Sequence, residues 1–476
     1  MPGGRANGAS NGDTGVVTPS IVIAAPASGS GKTTVATGLM GALRLAGRTV
    51  APFKVGPDYI DPGYHALASG RPGRNLDPVL VGADLIGPLF RYGSRGCDIA
   101  VVEGVMGLFD GKIDPSSPDP TAAGSTAQVA ALLGAPVVLV VDVRGHSQSL
   151  AALLHGFATF DPNVRLGGVI LNRVGSPRHE QVLRDAAARV GLPVLGALPR
   201  MAELAVPSRH LGLIPAIEHG TEAVDAVDAM TALVAAHVDV EAIAGLALGG
   251  VTGPQWDPAA AVGDAVSAAP RIAIGGGAAF TFGYAEHREL LEAAGAEVVT
   301  FDPLLDELPD DTGGLVLPGG FPEEHAAALS ANVVLRQQVR SFADAGMPVH
   351  AECAGLLYLA ASLDGHPMAG VVDVEAKFGP RLTLGYRDAV ALSDSPLWTA
   401  GERVTGHEFH RTELVGTGAS IPAWGWRKDH GEVVREGFAS ANVHASYLHT
   451  HPAGNASAVR RFVGAAAAFS HPRRGG

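Results

Sequence analysis

Apolar and polar positions fall in blocks along most of this chain. The runs "SIVIAAP", "TVAPFKV", "DIAVVEG", "PVVLVVDV", "LGGVILNRV" and "LPVLGALPR" are short and continuously apolar, the pattern of strands buried on both faces. Between them lie stretches with helical spacing, such as "TTVATGLMGALRLAG" and "HEQVLRDAAARVG". Strand and helix in alternation predict βαβ units and a doubly wound α/β sheet. The rhythm lapses over 246–269, where Gly, Pro and Ala dominate, and resumes with "RIAIGGG", "EVVTFDP", "GLVLPGG" and "MPVHAEC". The predicted organisation is a first α/β domain over 19–245, a linker over 246–269 and a second α/β domain over 270–468, with tails at 1–18 and 469–476.

Composition narrows the function classes. With 47% hydrophobic but only 5% aromatic residues, the 476-residue chain can build large Ala/Val/Leu cores. A net charge of −13 argues against a nucleic-acid partner and otherwise reflects solubility. No apolar stretch reaches a membrane span: "LLGAPVVLVVDV" is short and broken by Pro136. The Gly/Ser/Asn-rich beginning lacks an apolar segment and reads as a disordered tail rather than a signal peptide. Two cysteines far apart give no disulfide framework, which fits a reducing, cytoplasmic setting.

"APASGSGKTTVATGLM" follows a strand and opens a helix. Glycines there let backbone N–H groups approach phosphate oxygens, and the helix N-terminus favours negative charge. Ser28, Gly29, Ser30, Gly31, Lys32, Thr33 and Thr34 form this cradle, with Pro26 in place of the usual first glycine. Lys32 would reach the β/γ-phosphates of ATP, and the Thr33 hydroxyl would bind Mg²⁺. The next strand ends in "FKVGPDYIDPGYH", which gathers Lys54, Asp58, Tyr59 and Asp61 at a carboxyl end, where open α/β sheets bind ligands. The two aspartates also suit turns beside Pro57 and Pro62, and both readings stay open. "DIAVVEGVMGLFDG" delivers Glu103, the kind of carboxylate that partners Mg²⁺ opposite a phosphate loop, and then Asp110. Cys97 reads as a small core residue.

In "PVHAECAGLLYLA" a cysteine, Cys353, stands between a short strand and a helical run. Such an elbow exposes a nucleophile and points it at a helix N-terminus, which favours thiolate. Gly319 and Gly320, after the strand "LVLP", supply backbone N–H groups for an oxyanion hole. "HASYLHTHP" supplies histidines about a hundred residues later, a usable nucleophile–base order. His449 and His451, two apart, would share one face of a strand and His444 would face away, so a zinc site is not expected. His407 and His410 read as surface histidines or as polar contacts between domains, the surface reading being preferred.

The motifs "SGSGKTT", "FKVGPDYIDPGYH", "NLDP", "EGVMGLFDG", "PSRHLGL", "LPGGFPE", "AECAGLLYL" and "HASYLHTH" together resemble the cobyrinic acid and hydrogenobyrinic acid a,c-diamide synthases of corrin biosynthesis, over residues 21 to about 455. The resemblance implies a dethiobiotin-synthetase-like P-loop domain followed by a flavodoxin-like class I glutamine amidotransferase domain. It implies Cys353 as glutaminase nucleophile and His449 as its base. Lys32, Thr33, Lys54, Asp58 and Glu103 would serve ATP and Mg²⁺, with Thr33, Asp58 and Glu103 holding the metal. Tyr59, Asp61 and Asp110 would lie near the corrin carboxylates, and Asn172 near the adenine with the "LPR" at 198–200. Many class I glutaminases carry a Glu two residues after the histidine; here that position is His451, which leaves open what orients His449. The implied partners are hydrogenobyrinic or cobyrinic acid, L-glutamine and ATP, with a homodimer as one assembly. The high-GC character of the composition leans toward the metal-free macrocycle. A nickel-sirohydrochlorin diamide synthase is a sister alternative, and "KVGPDYIDP" argues against cobyric acid synthase. A partitioning-type P-loop ATPase is a distant alternative: Ala27 occupies the place of its extra lysine.

Overall fold

The computed structural model describes residues 17–114, 119, 121–200, 208–209, 212–213, 215–416, 421–428 and 431–469. The tails expected at 1–18 and 469–476 lie almost wholly outside these residues, as does part of "PSRHLGL". Among the described residues no helix is long and apolar enough to cross a membrane.

The first seven apolar strands form one parallel sheet. They are β1 (Ser20–Ala24), β2 (Val50–Val55), β3 (Arg74–Leu76), β4 (Ile99–Glu103), β5 (Val137–Asp142), β6 (Leu166–Val174) and β7 (Val194–Pro199), in the order β3-β2-β4-β1-β5-β6-β7. Chains of Val and Ile such as β1 and β4 are wholly buried because helices cover both faces. The order reverses at β1, so the carboxyl ends of β1, β2 and β4 open side by side, where such sheets bind ligands. Helix α1 (Lys32–Leu45) leaves the end of β1, and α2 (Asp61–Ser69) follows the end of β2.

A second sheet follows, in the order Glu297–Phe301, Arg271–Gly275, Thr312–Leu317, Val349–Glu352, Val443–Ser446, Phe438–Ala439. All its pairs are parallel except the last. The carboxyl ends of three adjacent strands deliver Gly319–Gly320, Cys353 and the segment with His449. A third sheet, not anticipated from the apolar pattern, is built on an antiparallel hairpin of Glu375–Ala391 and Arg403–Val415.

The two α/β units share a buried boundary. One apolar cluster runs from Val22 and Phe53 through Leu80 and Val81 to Leu448, Ala453 and Phe462. Arg74 pairs with Glu286 at 2.7 Å and Glu289 at 2.5 Å. Asp77 caps helix α3 (Pro78–Val81) through the N–H groups of Val79 and Leu80, and accepts the Tyr386 hydroxyl from the hairpin at 2.9 Å.

Asp77 is fully buried, and that burial raises its carboxyl pKa to about 6 against the help of the Tyr386 and backbone donors. A carboxyl that holds its proton more tightly when folded favours folding at low pH, and the benefit is lost between about pH 4 and 6, by up to about 3 kcal/mol. Asp77→Asn keeps the capping oxygen without the charge. The thermal midpoint of the variant relative to the natural protein is expected to rise across that window; a difference flat with pH would contradict this.

Candidate functional site

The phosphate loop is shaped by backbone rather than side chain. Gly31 has φ 97°, and a Cβ there would collide with the Asn172 amide, which donates to the Ser30 carbonyl at 2.9 Å. Asn172 therefore braces the phosphate loop from β6. Ser28, Gly29 and Ser30 border an open cleft with Asp142, Arg144 and His146. Thr34 continues α1 behind Thr33. Lys32 Nζ donates to the Met106 carbonyl at 2.5 Å, and burial, then the nearby Lys54 ammonium, lowers its pKa. Leu198, Pro199 and Arg200 close β7.

Charges converge at the ends of β2 and β4. Lys54 Nζ lies 2.6 Å from Asp61 Oδ2 and 2.8 Å from Glu103 Oε1. Thr33 Oγ1 donates to Glu103 at 2.7 Å and approaches Asp61 at 3.3 Å. The other Glu103 oxygen meets His65 Nε2 at 2.6 Å, a contact from α2 that the sequence reading missed. Burial opposes both charges, yet Asp61 and Glu103 hold the Lys54 ammonium above its usual range, while Lys54 and His65 hold Glu103 well below the carboxylate range.

Asp58 and Asp61 take different places in this cluster. Asp58 Oδ1 accepts the N–H groups of Ile60 and Asp61, so it is a turn-former, and its other oxygen stands 3.9 Å from Lys54. Asp61, expected at the substrate, is the carboxylate beside Thr33 and Glu103. Asp110 Oδ2 accepts the Gly107 N–H and closes its own loop. Asn75 of "NLDP" donates to the Gly56 and Asp58 carbonyls and fixes the β2 loop.

Tyr59, also expected at the substrate, is buried at the domain boundary. Its hydroxyl meets Tyr284 OH at 2.8 Å, and its ring lies 5.1 Å from Phe282 and 4.9 Å from His449 between centroids. The loop that carries Lys54 and Asp61 thus touches the histidine of the other half.

Cys353 occupies the elbow between the strand Val349–Glu352 and the helix Ala354–Leu359, with φ 48° and ψ −99°. A non-glycine residue in that region stores strain, as nucleophile turns do. The thiol is not a resting thiolate, however: burial, then the Glu323 carboxylate, push its pKa up, and the N–H groups of Ala354 and Gly320 offset this only in part. The N–H groups that face the resting sulfur are those of Gly320 and Ala354. Gly319 makes room: a Cβ there would strike His449 Cε1.

His449 does not lie in a strand with His444. It follows the end of Val443–Ser446 and forms a two-way backbone bridge with His407, both bonds 2.9 Å. His407 is buried rather than at the surface, and burial lowers its pKa to about 3. His410 is stacked on Tyr447 at 3.7 Å. The hairpin strand holding both also brings the Phe409 carbonyl to 3.8 Å from Cys353 Sγ. Among the described residues no cluster of His, Cys, Asp and Glu could by itself hold a metal.

Residues 21–214 match the family described as the CobQ/CobB/MinD/ParA nucleotide binding domain, and residues 271–457 match the CobB/CobQ-like glutamine amidotransferase domain. The chain is 63% identical over 453 residues to the hydrogenobyrinate a,c-diamide synthase of Mycobacterium tuberculosis, covering 95% of this chain and 99% of the relative. It is 57% identical to the protein of the same name from Streptomyces coelicolor, over 95% of this chain and 98% of the relative. The cobyrinate a,c-diamide synthase of a Synechococcus is 39% identical, over 93% and 97%. A nucleotide-binding half and a glutamine amidotransferase half, alike from end to end with these relatives, place the chain in the family of hydrogenobyrinate and cobyrinate a,c-diamide synthases.

Proposed function

We propose that this protein uses ATP and glutamine to convert the a and c acetate carboxylates of hydrogenobyrinic acid into amides. The observation that carries this reading is the contact of Tyr59 with His449, which joins the loop of Lys54 and Asp61 to the cysteine site across a buried boundary. The metal-free macrocycle is favoured over cobyrinic acid because relatives bearing the hydrogenobyrinate name are 50–63% identical, against 39–42% for those bearing the cobyrinate name.

The chemistry has two halves. In the first, a substrate carboxylate oxygen attacks the γ-phosphorus of ATP, ADP leaves, and an acyl phosphate forms. Backbone N–H groups of Ser28–Lys32 and the Lys32 ammonium would hold the phosphates. Burial, then the Asp58 carboxylate, push the Asp61 carboxyl well above its ordinary range, and a hard cation beside it would favour its charged form. Thr33, Glu103 and Asp61 offer the oxygen donors that Mg²⁺ prefers, and the ion would supply neutralisation of the transferring phosphoryl group. Asp110 keeps the adjoining loop in shape, and the corrin carboxylate would enter beside it.

In the second half, His449 takes the Cys353 proton, which the raised thiol pKa makes necessary. The sulfur attacks the glutamine carboxamide, the N–H groups of Gly320 and Ala354 donate to the developing oxyanion, and His449 returns the proton to the departing nitrogen. Water then releases glutamate from the thioester. Ammonia leaving this site attacks the acyl phosphate carbon and phosphate departs. Free ammonia in neutral water is mostly ammonium, so a sheltered passage keeps it nucleophilic.

Three outcomes are expected. Cys353→Ala loses glutamine-dependent amidation, by at least about a thousandfold, and keeps ammonia-dependent amidation. Loss of both in a folded protein would contradict the division of labour. Lys32→Ala abolishes amide formation from either nitrogen source, and retained synthesis at saturating ammonia would remove the phosphate loop from the reaction. Tyr59→Ala breaks the link between the halves, so glutamine hydrolysed per amide formed rises well above one; an unchanged ratio would separate Tyr59 from coupling.

A further inference from the structure

His449 needs a partner that fixes its ring, and the position two residues later does not provide one. His451 Nδ1 accepts the Ala453 N–H at 3.2 Å, capping the short helical turn that follows. Its ring is packed on Tyr284 at 4.1 Å, and burial keeps it neutral with a pKa lowered to about 3. It therefore has no free acceptor for a neighbouring imidazole.

We propose that Glu352, the residue immediately before the nucleophile, is the positioning residue that orients His449, an assignment that rests on the glutaminase reading above. Glu352 Oε2 stands 3.4 Å from His449 Nδ1. Its other oxygen accepts both the N–H and the hydroxyl of Thr450 at 3.1 Å, and His350 Nε2 lies 3.5 Å away. The carboxylate thus grips the chain at the residue after His449 and presents its remaining oxygen to the ring. Burial works against its charge, but His350 and His449 hold its pKa well below the carboxylate range.

The two histidine nitrogens are otherwise without hydrogen-bond partners. At 3.4 Å the Glu352 contact is not yet a formed hydrogen bond, and catalytic contacts of this kind shorten when substrate binds. An acceptor at Nδ1 places the ring proton there and leaves the Nε2 lone pair free to take a proton. The Cε1 edge of the ring faces Gly319, next to the Gly320 N–H that reaches the Cys353 sulfur. A carboxylate on Nδ1 that leaves Nε2 as the basic nitrogen is the arrangement that makes histidine a directed base in hydrolases of unrelated fold. The elbow makes it attainable from adjacent residues: successive strand residues point to opposite faces, but the positive φ of Cys353 breaks that alternation.

Glu352→Gln isolates the idea, because a glutamine oxygen can still accept from Thr450 while an amide NH₂ replaces the acceptor at Nδ1. Glutaminase kcat is expected to fall by on the order of 10²–10³ with KM for glutamine within about twofold. Nitrogen NMR of the labelled imidazoles, with His449 assigned by comparison with His449→Gln, is expected to change from the Nδ1-protonated to the Nε2-protonated tautomer. Thr450→Val removes one grip on Glu352 but leaves Oε2 in place, and should cost less than about fivefold. A Glu352→Gln enzyme within threefold of the natural kcat, or an unchanged tautomer, would overturn the proposal, as would a loss in Thr450→Val as large as that in Glu352→Gln. If Glu352→Gln does not fold, Glu352→Asp takes its place: the carboxylate retreats by one methylene, and a kcat within threefold would again overturn the assignment. Cys353→Ala run alongside keeps the two readings apart: residual glutaminase in that variant would sink the glutaminase reading itself, whereas full loss there with an active Glu352→Gln sinks only the role of Glu352.

Discussion

A single buried ammonium sets the geometry of the nucleotide half. Lys54 is 4% exposed and surrounded by Asp61, Glu103 and, farther off, Asp58. Without it, two carboxylates would face one another in a dry pocket, at a cost of several kcal/mol. With it, the ends of β2 and β4 and the start of α2 are pinned to Thr33 of the phosphate loop. The turn between Lys54 and Asp61 is thereby fixed, and Tyr59 in that turn reaches across the boundary. The link between the halves is a consequence of how the charge cluster is closed.

The boundary is mixed in character. Apolar packing around Leu80, Val81, Leu448 and Ala453 supplies adhesion, while Arg74 with Glu286 and Glu289, and Tyr386 with Asp77, supply register. Loose apolar contact alone tolerates sliding; directional pairs across it do not. A ring placed 4.9 Å from a proposed base needs that precision, since a shift of one ångström is large on the scale of a proton transfer.

Much of this was legible in the sequence, for a physical reason. Strands of a parallel sheet are apolar throughout, so their ends are easy to locate, and candidate site residues follow those ends: Lys54, Glu103, Gly320 and Cys353 were placed at strand ends in this way. Residues whose positions depend on pairing across long separations were not. The hairpin strand Glu375–Ala391 is interrupted by Gly379 and Pro380 and only sparsely buried, so it carries no strand period, and the burial of His407 on the strand beside it was invisible. The contacts of Tyr59 with Tyr284 and His449 join residues far apart in the chain and could not be read from its motif. Glu352 stands beside the nucleophile, but its approach to His449 depends on the turn at Cys353 and is not readable from residue type. His65, on the first turns of α2, offered a signal at four residues from Asp61, the spacing of one helix face, which was not used.

The elbow cysteine is 3% exposed and uncharged at rest. Peroxide and alkylating agents react with sulfur anions that they can reach, and this sulfur offers neither charge nor access until a carboxamide has entered. The burial that raises the thiol pKa therefore also acts as chemical armour for the sulfur.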